Sequence, residues 1–192
     1  MEFLKDKLKK IAHKNYKYIE LLLGKTISDN IFNSQIEKHK FFELLTYFKT
    51  KLQKYNYKTI ISKNYEFLNK RLNINEDFQQ RCFEQTLIDK TLYEHKSNNK
   101  SNEFMITFGE KKMISIENFD ISQNYDNINL KEIISYNINN KFYLNFITNK
   151  VETKNEENLI YYNISIYITK KNGKIKDIIE QVKLYLDVIN QF

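Results

Sequence analysis

The side chains best suited to metal binding or proton transfer are few in this sequence and widely spaced. The three histidines, His13, His39 and His95, stand alone, and no two are four residues apart, the spacing that places two metal ligands on one helix face. Cys82 is the one cysteine, so the chain can form neither a paired-thiolate zinc site nor an internal disulfide. We therefore predict no catalytic residues, no cofactor and no metal site.

A metal-dependent nuclease is the enzyme class whose residue types can be found at suitable spacing. Such a site needs an acid and, two residues later, a lysine on one strand, so that both reach a metal ion and a phosphate. Glu152-Thr153-Lys154 and Glu110-Lys111-Lys112 have this order, but we expect both to lie in turns. The nuclease is therefore the third of three functional hypotheses.

The first residues combine an apolar stripe with many lysines. Residues 1–60 contain 13 lysines and 6 acids, and they account for the whole formal net charge of +7. A helix of this kind suits a polyanion such as nucleic acid, or it is simply a solvated helix face. Arg71 and Arg81 are the only arginines, which weakens a role in reading base edges. The candidate polyanion-binding residues are Lys5, Lys7, Lys9, Lys10, Lys14 and Lys17.

A second candidate surface lies on a predicted sheet. From Leu159 to Ile168, isoleucines alternate with tyrosines, an asparagine and a serine, so one face of the strand should meet the core. The opposite face suits a protein partner, or it is the solvent side of a half-buried sheet. The partner-face candidates are Tyr143, Asn145, Tyr161, Asn163 and Tyr167.

The spacing of apolar residues divides the chain into two regions. In 1–97 it is three or four, which predicts about four helices, over 2–23, 34–55, 60–72 and 75–92. The stretch 98–102 has no apolar residue and predicts a linker.

From residue 103 the spacing becomes two, which predicts an antiparallel sheet of about five strands, with turns at 109–111 and at Asn139-Asn140. An amphipathic helix over 175–189 completes the second region, 103–192. The predicted fold class is therefore α+β, with an N-terminal helical layer followed by the sheet and a C-terminal helix, as two regions or as one continuous domain.

Composition narrows the functional class. With 41% hydrophobic and 15% aromatic residues, the 192-residue chain can bury a core and is not disordered. Its bias toward residues with A/T-rich codons suggests a bacterium, virus or mobile element with an A/T-rich genome. We expect a cytoplasmic, non-enzymatic binding protein without a transmembrane segment: an assembly subunit, an immunity-type inhibitor or an accessory factor. A protein partner is the first expectation, and a nucleic-acid-binding accessory protein is the alternative.

Overall fold

A computed structural model of the chain describes most of its residues, within which there are three α-helices, one short 3-10 helix (Ile116–Asn118) and nine strands. The described ranges are 2–11, 16–28, 31–53, 55–67, 70–97, 100–118, 127–138, 142–152, 159–169 and 175–189. The helices are α1 (Glu2–Ile11), α2 (Lys38–Lys51) and α3 (Ile175–Ile189). The strands are β1 (Tyr18–Ser28), β2 (Ile31–Asn33), β3 (Tyr57–Phe67), β4 (Lys70–Asn75), β5 (Gln80–Ser97), β6 (Lys100–Ile114), β7 (Asn127–Asn137), β8 (Phe142–Val151) and β9 (Leu159–Thr169).

Eight of these strands form a closed antiparallel barrel. Their order is β1-β6-β5-β4-β3-β7-β8-β9, and β9 pairs back with β1, so that Tyr18 lies opposite Thr169 and Leu22 opposite Ser165. The short β2 pairs with the far end of β1, outside the ring. Closure gives each of the eight strands two neighbours. The predicted α+β fold, with four helices in front of a five-stranded sheet, is therefore wrong.

Two of the predicted helices are largely strands, and a third is helical only in its first half. The stretch 2–23 forms α1 and the start of β1, 60–72 lies in β3 and β4, and 75–92 runs mostly along β5. Residues four apart, such as Ile60 and Asn64, share a face in a strand as well as on a helix, so their spacing alone does not separate the two structures. The predicted helix at 34–55 contains the shorter α2, and the predicted helix at 175–189 coincides with α3.

The second half agrees with the predicted strands more closely. β7, β8 and β9 occur where apolar residues alternate with polar ones in the sequence. The turn expected at 109–111 is instead part of the uninterrupted β6. Lys100–Asn102, from the expected linker, also belong to β6, and Lys100 pairs with Ser97. Residues 98–99 and the Asn139-Asn140 turn lie outside the described residues.

The main apolar core lies outside the barrel, between one part of its wall and the helices. Outward-facing residues of β1, β6, β8 and β9 pack there against α2 and α3. Phe146 of β8 is 1% exposed, and its ring lies 5.6 Å from Phe41 and 5.9 Å from Phe48 of α2. Tyr185 of α3 stacks on Phe142 of β8 at 5.1 Å. Because side chains alternate along a strand, this arrangement turns the other face of each strand into the barrel.

Gly109 leaves room for an aromatic ring inside the barrel. It lies opposite Tyr18 between β6 and β1, and a Cβ at this position would stand 2.5 Å from the Tyr18 hydroxyl and 2.8 Å from the Thr86 carbonyl oxygen. We expect Gly109→Ala to lower the free energy of unfolding by about 1–3 kcal/mol, because the added methyl group overpacks this site. Urea denaturation measures the change, with the exposed Lys112→Ala as control. Equal stabilities for the two variants would contradict this account.

Candidate functional site: the barrel lumen

The interior of the barrel is an open, polar cavity of about 650 Å³, here called the lumen. Inward-facing side chains from all eight strands of the ring line it. Among the described residues this lining contains five basic side chains and one acid. They are Lys58, Arg71, Arg81, Lys111, Lys131 and Glu20.

The cations are densest where β4, β5 and β6 lie side by side. Arg71 pairs with Phe83 of β5, and Lys111 pairs with Gln85, two residues further along the same strand. The Lys111 ammonium lies 4.1 Å from the centre of the Phe83 ring, a cation–π contact that positions it in the lumen. The side chain reaches lumen water, but surrounding protein lowers the pKa of Lys111, and the nearby Arg71 charge lowers it further. Glu20 opposes this shift. A bound anion would relieve the mutual repulsion of these cations.

Three tyrosines lie near this cluster. The rings of Tyr18 and Tyr167 stack at 5.3 Å, and Tyr143 lies 6.5 Å from Tyr167. Gln85 donates a hydrogen bond to the Tyr18 hydroxyl. Burial, followed by the charge of Glu20, raises the pKa of Tyr167 to about 12. The Tyr167 hydroxyl therefore stays protonated at neutral pH and can donate a hydrogen bond to an anion.

The wall formed by β7, β8 and β9 carries one of the basic residues, Lys131, and several of its neutral polar side chains bond to one another. The Ser135 hydroxyl donates to Asn145 at 2.7 Å, and Asn149 donates to Asn163 at 2.8 Å. Asn163 in turn donates to the carbonyl oxygen of Ser34 at 2.8 Å, which ties the segment after β2 to the barrel. The lumen is thus asymmetric, with three of its five basic residues on β4, β5 and β6 and a hydrogen-bonded set of Ser and Asn side chains on β7, β8 and β9. Such a cavity suits an elongated anion that carries several charges, such as a polyphosphate.

The described residues do not fit a resident divalent metal ion. Enzymes that act on phosphoanhydrides commonly hold Mg²⁺ or Mn²⁺ through carboxylates. Glu20 is the one carboxylate among the described lumen residues, against five basic side chains in the same lining. No group of three or more His, Cys, Asp or Glu side chains in the described ranges is arranged to hold a metal ion.

The lysines predicted to bind polyanions lie outside the lumen where the structure describes them. Lys7 forms an ion pair with Asp89 of β5 at 3.0 Å, and Lys9 lies 3.9 Å from Asp6 on its own helix. Lys17 lies 3.9 Å from Glu110, and Lys5 is exposed on α1. The Lys10 side chain and Lys14 are outside the described residues.

The predicted partner face turns inward. Tyr143, Asn145, Asn163 and Tyr167 line the lumen, and the half-buried Tyr161 pairs with Asn149 on the same face of β9. The alternation in the sequence separated the two faces of this strand. It did not show that the barrel closes around the face opposite the core.

Of the residues considered for a nuclease, Glu110 and Lys112 lie on β6 and not in a turn, and they share one face of that strand. That face is opposite to the one from which Lys111 lines the lumen, and Glu110 lies 3.9 Å from Lys17. Glu152 pairs instead with Lys63 at 3.0 Å, and Thr153-Lys154 are outside the described residues.

The histidines of the described chain also lie apart from the lumen lining. His39 is exposed on α2, 3.4 Å from Glu37. His95 is buried, with its Nε2 atom 2.8 Å from Asp187 of α3 and its Nδ1 atom 3.2 Å from the Tyr93 hydroxyl. This contact joins β5 to α3.

Comparisons with known proteins identify the fold. No protein-family model matches the sequence, and no curated protein matches it. Among solved structures, the S. pombe Pct1 RNA triphosphatase superposes with a TM-score of 0.77 at 11% identity, covering 98% of this chain and 91% of that chain. The mimivirus capping enzyme triphosphatase gives a TM-score of 0.62 at 11% identity, with 98% and 97% covered. Pct1 in complex with the Spt5 CTD gives 0.73 at 13% identity, with 98% and 92% covered.

These comparisons correct the predicted function. Pct1 and the mimivirus protein are RNA triphosphatases, and this likeness contradicts our prediction of a non-enzymatic binding protein. The Spt5 CTD complex shows a protein partner for Pct1. None of the helices in the described ranges has the length and apolar character needed to cross a membrane. The chain shares its fold, over nearly its whole length, with RNA triphosphatases of S. pombe and mimivirus.

Proposed function

We propose that this protein acts on the 5′-triphosphate end of RNA, whose triphosphate chain enters the barrel lumen. The observation that carries the proposal is the excess of basic residues in the lumen, five against one acid among the described residues. The likeness to two RNA triphosphatases supports the substrate class, although a shared fold alone does not fix a function.

The basic side chains would bind the triphosphate by direct contacts. The guanidinium of Arg71 can donate two parallel hydrogen bonds to one phosphate, and Lys111 adds a compact positive charge beside it. Tyr167 adds a neutral hydroxyl donor. These groups are already held by the barrel wall, so little side-chain order has to be gained on binding.

Cleavage of the terminal phosphoanhydride would require two further contributions. The negative charge on the transferred phosphoryl group must be neutralised, and a water molecule must be held in line with the bond. Arg71 and Lys111 would supply the first. Glu20, the one carboxylate in the described lumen lining, is the residue available to accept a hydrogen bond from that water.

The test compares one RNA sequence with two different 5′ ends. Fluorescence anisotropy should show that the 5′-triphosphate RNA binds at least about 10-fold more tightly than the 5′-monophosphate RNA, because one additional charged hydrogen bond contributes about 1.5–3 kcal/mol. Inorganic phosphate release from the same samples measures hydrolysis. Glu20→Gln should retain binding and lower that release. Equal affinity for the two RNAs would contradict the proposal.

A second polyanion-binding surface remains a proposal, formed by the N-terminal lysines Lys5, Lys7, Lys9, Lys10, Lys14 and Lys17. They would contact the RNA backbone and not its 5′ end. The double variant Lys5→Gln with Lys10→Gln should therefore lower the affinity for the triphosphate RNA and for the monophosphate RNA to the same extent. This result would distinguish the N-terminal lysines from the lumen, because substitutions in the lumen should lower the affinity for the triphosphate RNA alone.

A protein partner and a cytoplasmic location also stay proposals. The Pct1 complex with the Spt5 CTD supports the idea of a partner, and the exposed Phe42 on α2 offers an apolar contact on the outside of the barrel. A partner bound there would leave the lumen open to RNA.

A further inference from the structure

We infer that the lumen binds a triphosphate through its own basic side chains, without a divalent metal ion held by the protein. The inference rests on the proposed function and specifies how that site recognises its ligand. Three observations support it. The described lumen lining contains one carboxylate, the oxygens of three of its asparagine side chains already accept hydrogen bonds, and its net charge is positive.

The first observation concerns the strands where the ring closes. The inward positions of β1 are Tyr18, Glu20 and Leu22, and those described on β9 include Asn163 and Tyr167. A divalent ion bound in a protein usually has several oxygen ligands, with carboxylates supplying the negative charge. One carboxylate and two phenols at these positions provide too little charge to hold such an ion in the free protein.

The second observation concerns the amides, which are the other available oxygen ligands. The side-chain oxygen of Asn145 accepts a hydrogen bond from Ser135, and that of Asn163 accepts one from Asn149. Across the lumen, the side-chain oxygen of Asn64 accepts one from Asn73 at 3.0 Å. A metal ion would have to displace these partners before it could use the oxygens.

The third observation is electrostatic. With five basic residues and one acid in the described lining, the lumen repels a free divalent cation and attracts a polyanion. The charge of Glu20 raises the pKa of Lys111, against the larger effects of burial and of Arg71, so it offsets part of the positive charge. Glu20 thus partly balances the positive charge of the lumen.

The first arm of the test titrates the free protein with Mn²⁺ alone, followed by calorimetry and by electron paramagnetic resonance of the ion. We expect no saturable binding below the millimolar range, and no difference between the wild type and Glu20→Gln. The exposed Glu117→Gln is the matched control. Micromolar Mn²⁺ binding that Glu20→Gln abolishes and Glu117→Gln preserves would overturn the inference.

The second arm titrates sodium tripolyphosphate in EDTA and then in excess Mg²⁺. The affinity in EDTA should equal or exceed the affinity in Mg²⁺, because Mg²⁺ neutralises the anion that the lumen binds. Binding that occurs only with Mg²⁺ overturns the inference. Failure of tripolyphosphate to bind under both conditions refutes the proposed function instead, and the Mn²⁺ arm then still decides whether the free protein holds a metal.

Discussion

The double variant Arg71→Gln with Lys111→Gln is expected to lose about 100-fold or more of its affinity for tripolyphosphate, since each lost charged hydrogen bond removes about 1.5–3 kcal/mol. Both side chains line the lumen, and the Arg71 charge lowers the pKa of Lys111. The two positive charges repel each other in the free protein, whereas both would attract an anion bound between them. Isothermal titration calorimetry measures the loss.

The matched control is Lys70→Gln with Lys112→Gln, which removes two positive charges from the positions next to the tested ones. Lys70 and Lys112 lie on the opposite face of their strands from Arg71 and Lys111. Each of the two lysines pairs with Glu84 of β5. We expect this control to retain the affinity within a few-fold. If both double variants lose the same affinity, net charge alone is responsible, and the lumen site is wrong.

Phe146→Ala is expected to lower the free energy of unfolding by about 3–5 kcal/mol, the usual cost of removing a buried phenylalanine ring. Phe146 is 1% exposed and contacts Phe41 and Phe48 of α2, with Tyr136 of β7 at 6.2 Å. The variant therefore leaves a cavity where α2 packs on the barrel wall. Urea denaturation followed by circular dichroism measures the change.

Ile160→Ala on the adjacent strand is the control for this prediction. Ile160 is 48% exposed, so its truncation should cost far less than that of Phe146. A similar loss in the two variants would contradict the placement of the main core outside the barrel. Phe146 faces away from the lumen, so the folded variant should keep its affinity for tripolyphosphate.

The elements that the sequence predicts well are those with one buried face. Ile164, Ile166 and Ile168 of β9 lie under the helices, whereas Ser165 and Tyr167 face inward. The contrast between an apolar core and a polar lumen produces a clear period of two. For the same reason α3, with one face on the barrel wall, shows a clear helical period.

The strands β3, β4 and β5 gave no such signal, because most of this wall is not covered by helices. On β5, Arg81, Phe83 and Gln85 face the lumen, while Cys82 packs outside in a small cluster with Leu72. Polar and apolar residues therefore occur on both faces, and the alternation is lost. Scattered apolar residues three or four apart then resemble an amphipathic helix.

The lumen site was not predicted from the sequence, because its residues are far apart along the chain. Arg71 and Lys111 are 40 positions apart in the sequence and come together only through the pairing of β4, β5 and β6. One signal was available: both arginines of this lysine-rich chain, Arg71 and Arg81, face the lumen. A scarce side chain with a preference for phosphate, found twice within eleven residues, marks this region.

A crystal structure of the protein with bound tripolyphosphate tests the central claim most directly. We predict electron density for the anion inside the barrel, with phosphate oxygens within hydrogen-bonding distance of Arg71 and Lys111. An anion bound only to the lysines of α1, or an empty lumen at saturating tripolyphosphate, would contradict the claim.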